Sequence, residues 1–167
     1  VIQFSYNSLR KKKDWNRFLS LIAHEYFHLW NGKRIRPEAF EPFDFDKEIY
    51  TRSLWVVEGI TAYYDELILR HAELISDKEY LALFLDHVKR LKKNPGRFYD
   101  SLADASFDAW IKLYQRDEHT INCSTSYYEK GQLIATCLDL KMRAMTNGRV
   151  SMNEVVRRLW SEYKDSN

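Results

Sequence analysis

A chain of 167 residues with 45% hydrophobic content has the size of one domain and enough apolar side chains to bury a core without staples. Its formal charge of +2, from 26 basic and 24 acidic side chains, provides no strong field toward polyanions, which argues against nucleic acid or an anionic membrane as a partner. Aromatics at 15%, including five Trp and eleven Tyr, exclude a disordered composition. Cys123 and Cys137 offer neither a paired ligand spacing nor a disulfide framework. No apolar run approaches the roughly 18 residues of a membrane span, and VIQFSYNSLRKKK lacks the order of a signal peptide. A cytoplasmic location is therefore the expectation, although a first residue other than Met reads as a piece excised from a longer protein.

In chain order, VIQFSY at 1–6 reads as one short strand. Asp14 is the expected N-cap of a first helix from Trp15 to Trp30, in which Phe18, Leu19, Ile22, Phe27 and Leu29 recur at three- and four-residue intervals. The charged, proline-containing stretch 32–50 reads as a long ordered loop, the kind that is usually functional. A second helix is predicted from about 53 to 74. A third follows from about 76 to 93, opened by the capping box SDKE and stopped at NPG, with KRLKK at 89–93 as its solvated end. DASFDAWIKLYQ predicts a shorter helix near 105–115, and a long one should run from about 125 to 146 with Gly148 as its stop. A last helix begins at the capping box SMNE, 151–154. About six helices and at most one short strand make the fold mainly α, as a single domain over 1–167.

The chemistry concentrates in HEYFHLWN, residues 24–31. On a helix, His24 and His28 lie about 40° apart around the axis and about 6 Å along it, so both imidazoles can converge on one ion. Glu25, about 100° from His24, can reach a water on that ion without being a ligand, which is the geometry of a general base. Two histidines on a buried face, each hydrogen-bonded to neighbours, would give the same spelling, so a third ligand is needed. Glu58 in LWVVEGITAYY stands out because Val56, Val57 and Ile60 surround it, and an unpaired carboxylate there would be costly. Gly59 should let its helix approach the first closely. The alternatives are a Glu58 that merely faces water near a helix N-terminus, or ligation by Asp44, Asp46 or Glu48 of the loop. Two His and one Glu would leave an open fourth position for water, whose pKa a zinc ion lowers toward about 7.

HEYFHLWNGKRIRP, then WVVEGITAYYDELIL, then SYYEKG resemble, in that order, the glycyl aminopeptidase family of zinc metallopeptidases, gluzincins with a thermolysin-like catalytic domain. The likeness runs from about residue 14 to 160, with 29 residues between His28 and Glu58. It implies that His24, His28 and Glu58 bind Zn2+, that Glu25 is the catalytic base, and that Tyr128 of YEKG donates a hydrogen bond to the tetrahedral oxyanion. On the residues alone, Tyr127 and Tyr128 read as core or helix-start aromatics, and only the YEKG match separates them. It further implies a peptide substrate with a small N-terminal residue, Gly or Ala. A β-rich N-terminal region and a C-terminal PDZ-like domain are implied in cis, so the isolated fragment is expected to be inactive or weakly active. The competing expectation is a non-catalytic helical interaction module with a degenerate or structural metal site. Thr61 and Asp65, three and seven residues beyond Glu58, are the candidates for orienting the histidines.

Overall fold

The computed structural model describes residues 9–164, so the expected strand VIQFSY lies outside the described residues. Within them the chain is helical: α1 Lys12–Phe27, α2 Ile60–His71, α3 Asp77–Lys93, α4 Leu102–Phe107, α5 Ala109–Lys112, α6 Thr120–Cys123, α7 Tyr127–Met145 and α8 Met152–Tyr163. The described residues contain no β-strand, only an isolated bridge between Asn31 and Ile35. No described helix is long and apolar enough to cross a membrane.

Local chemistry explains most boundaries. Ser76 and Ser151 open α3 and α8 with complete capping boxes to Glu79 and Glu154, and Ser126 caps α7 through the Glu129 amide. The chain leaves α7 through left-handed Asn147 (φ 52°) and Gly148 (φ 78°), as the glycine stop requires. KRLKK lies at the end of α3, where Lys89, Lys92 and Lys93 are exposed.

Four boundaries differ from expectation. The first helix starts at Lys12 behind Lys11, leaving Asp14 inside its first turn, where the dipole still favours an acid. It ends at Phe27, after which the chain tightens into turns, Leu29 N–H donating to the Tyr26 carbonyl (3.1 Å) and Trp30 N–H to the Phe27 carbonyl (3.0 Å), ahead of left-handed Gly32 (φ 114°). The second helix opens as a wider π-helical turn, Trp55–Gly59, before α2 begins. The segment near 105–115 is split at Asp108 into α4 and α5, and two further short elements raise the helix count above six.

Phe27, Ile60, Tyr63, Tyr64, Ala135 and Met152 form a buried cluster from α1, α2, α7 and α8, in which the Phe27 and Tyr64 rings stack with centroids 4.4 Å apart. Burying one such ring contributes about 1.5–3 kcal/mol, so this cluster anchors the end of α1 on α2. Ala105, Ala109 and Tyr127 form another, packed by Leu54, Trp55 and Tyr128. Gly59 does allow a close helix approach, but to α7 rather than α1: a Cβ there would lie 2.7 Å from Gly131 Cα. That contact seats the start of α7, and with it Tyr128, against the turn that carries Glu58.

Candidate metal centre

His24 comes from the last turn of α1, His28 caps its C-terminus, and Glu58 comes from the π-helical turn. The glutamate turns inward: Glu58 Oε2 lies 3.1 Å from His24 Nε2 and 3.2 Å from His28 Nε2. These three residues each place one ligand atom within 4.8 Å of the others, the one such group among the described residues. Side-chain exposures of 11%, 23% and 18% for His24, His28 and Glu58 leave one side open to solvent.

Both rings are oriented from behind. His24 Nδ1 donates to Asp65 Oδ2 (3.2 Å) and His28 Nδ1 donates to the Asn31 carbonyl (2.9 Å), which directs both Nε2 atoms to the cluster. Of the two candidate orienting residues, Asp65 therefore acts on a histidine and Thr61 does not: its hydroxyl donates to the Val57 carbonyl (2.6 Å). Asn31 was not singled out from sequence. Its signal was present, a polar residue at the close of HEYFHLWN where an apolar one would suit burial, since it is 5% exposed. The loop acids stay apart, with Asp44 paired to Lys47 (3.0 Å) and Glu48 accepting from Tyr50 Oη (3.1 Å).

The cluster is electrostatically self-consistent without an ion. Burial opposes protonation of His24, but the Asp65 and Glu58 carboxylates outweigh it and raise the imidazole to about 9. Burial likewise opposes ionisation of Glu58, yet the two imidazoles hold it down at about 2. For His28, burial is again outweighed, by Glu58 and the Asn31 carbonyl, and its pKa rises.

Glu25 is exposed and makes no hydrogen bond or ion pair with the described residues. It lines, with His24, His28, Glu58 and Tyr128, a cavity of about 550 Å³. The Tyr128 ring sits 6.2 Å from that of His24, centroid to centroid. Burial, followed by the nearby Glu58 charge, pushes its phenol well above the ordinary tyrosine value, so it remains a neutral donor.

Two imidazoles and a carboxylate from adjoining helical segments, with an exposed carboxylate beside them that engages none of the described residues, match the kind of donor set that hydrolytic metal sites use. Residues 17–134 match the M61 glycyl aminopeptidase family, and the chain belongs to that family. Its fold is also that of the crystal structure of an aminopeptidase N family protein from Idiomarina loihiensis, with a TM-score of 0.88 and 40% identity over 95% of this chain. The match covers 27% of that longer chain. No curated protein matches.

Membership in this metallopeptidase family implies a metal, and the residues fit one. Ligands about 2.0–2.2 Å from a tetrahedral zinc lie about 3.3–3.6 Å from one another. The 3.1 and 3.2 Å separations to Glu58 come close to that spacing, and the mixed nitrogen and oxygen donors suit the ion.

Proposed function

We propose that this chain forms the helical part of the active site of a zinc-dependent aminopeptidase, in which His24, His28 and Glu58 hold the ion. The observation that carries the reading is the convergence of three ligand atoms beside an exposed Glu25 that engages none of the described residues. Zinc, when bound, supplies a Lewis acid that polarises the peptide carbonyl and makes water more acidic. Glu25 accepts the proton of the attacking water and delivers it to the leaving amine. Tyr128 donates its hydroxyl proton in a hydrogen bond to the tetrahedral oxygen, a donor kept neutral by its burial. Asp65 and the Asn31 carbonyl keep the two imidazoles turned to the cluster.

The substrate class, peptides with a small N-terminal residue such as Gly or Ala, rests on the family. The 167 residues act as one domain of a longer protein, joined in cis to a β-rich region and a PDZ-like domain, and alone they are inactive or nearly so. The test is made on an intact parent protein. Release of glycine from glycyl peptides should disappear on chelation and return with zinc, and turnover that survives removal of the metal would overturn the reading.

A further inference from the structure

His28 and Glu58 are joined by 29 residues, largely loop with a short 3₁₀ turn at Glu38–Phe40 before the π-helical turn begins at Trp55, so the covalent connection does not set the distance between their ligand atoms. We propose that Asn31 is the positioning residue that sets it, an inference that rests on the zinc reading above.

Asn31 addresses both ligands, one with its backbone and one with its side chain. Its carbonyl accepts from His28 Nδ1 (2.9 Å), which fixes the ring and leaves the Nε2 lone pair facing the cluster. Its carboxamide nitrogen donates to the Val57 carbonyl (2.9 Å), the Val56 carbonyl (3.0 Å) and Thr61 Oγ1 (3.1 Å). Two N–H bonds serve three acceptors, so one is shared. Val56 and Val57 immediately precede Glu58 in the π-helical turn, and the Thr61 hydroxyl donates back to the Val57 carbonyl (2.6 Å). One residue thus ties the orientation of His28 to the turn that delivers Glu58.

The side chain is chemically specific. Buried carbonyls need donors, and in this poorly solvated interior an unmet acceptor is expensive. A carboxylate of the same shape would repel both carbonyls, and a hydroxyl has a single proton to give. The fit of the next residue is equally close. A Cβ on Gly32 would lie 3.0 Å from Val57 Cγ1 and 3.3 Å from His28 Nδ1, so residues 31 and 32 are inserted between the two ligand-bearing segments.

The experiment compares wild type, Asn31→Ala and Thr61→Val in an intact parent protein. It measures zinc affinity by chelator competition, the visible spectrum of the Co2+-substituted site, and thermal unfolding of the metal-free protein. Asn31→Ala should weaken zinc by about tenfold or more and shift the cobalt bands, while the metal-free variant still unfolds cooperatively. Thr61→Val, which removes one acceptor of three, should lose less. If Asn31→Ala does not fold, Asn31→Ser, which keeps one donor, is read by the same criteria. A folded Asn31 variant with wild-type zinc affinity and cobalt spectrum overturns the positioning role alone. An intact wild-type parent that binds neither ion overturns the zinc reading itself and this inference with it.

Discussion

The two sides of the cleft are built differently. His24, His28 and Glu58 are each held by a partner behind or beside them, from Asp65, Asn31 and one another. Glu25, on the same helix, is exposed and engages nothing among the described residues. The difference follows from the tasks proposed for them. A metal ligand gains from being fixed before the ion arrives, because disorder in the free protein is a cost of binding. A base must exchange partners with water and a leaving group, so a permanent partner would hinder it.

The sharpest way to break this comparison is at Glu25. In an intact parent protein, Glu25→Gln should lower kcat by about 10²- to 10⁴-fold, the range of general acid–base catalysis, with zinc stoichiometry unchanged. Loss of the metal together with activity would show Glu25 to be part of the braced side. Retention of more than about a tenth of the turnover would remove it from the chemistry.

Asp65→Asn probes the braced side and should weaken zinc by about 10- to 100-fold. The pH dependence sharpens the point. In the metal-free protein His24 sits at about 9, above its ordinary value, with Asp65 as a principal cause. Its contribution to stability is therefore full below about 6.5 and lost as pH rises through about 9. Zinc needs the neutral imidazole and must displace that proton at neutral pH, so affinity should climb by about tenfold per pH unit up to about 9. With Asp65→Asn the proton is held less firmly, and the slope between neutral pH and about 9 should flatten. An unchanged slope in a titration of zinc affinity against pH would show that Asp65 does not act through His24.

What was legible in the residues is what local chemistry decides. SDKE and SMNE announce their helices because a capping box lies within four residues, and HEYFH places two imidazoles together through helical spacing alone. Glu58 was legible as an acid in apolar company, and Asp65 as a residue on the same helical face. Asn31 was not, because its value depends on carbonyls 25 and 26 positions away. The partner of Gly59 was missed for the same reason. A glycine announces a close approach in sequence, but only the packed structure names Gly131 as the neighbour.

The smallest expected effect tests whether bracing confines a disturbance. A Cβ on Gly131 would lie 2.9 Å from Gly59 Cα and 3.2 Å from the Trp55 carbonyl oxygen. Both neighbours are backbone atoms, so no rotamer change relieves the contact and the two segments must part, at about 1–3 kcal/mol for overpacking. For Gly131→Ala this corresponds to a fall in Tm of about 2–4 °C per kcal/mol in a domain of this size. The turn of Glu58 is tied into the cluster by the Asn31 carboxamide and the two histidines, whereas the start of α7 is held away from it, by Lys130 Nζ on the Arg97 and Asp100 carbonyls and by Tyr127 in its apolar cluster. The displacement should therefore fall on α7 and carry Tyr128 away from the cleft. The expected signature is a lower Tm and, in an intact parent protein, a lower kcat, with zinc affinity unchanged. A parallel loss of zinc affinity would mean that the glutamate turn yields as readily as α7, and that the contrast between a braced and an unbraced side does not hold.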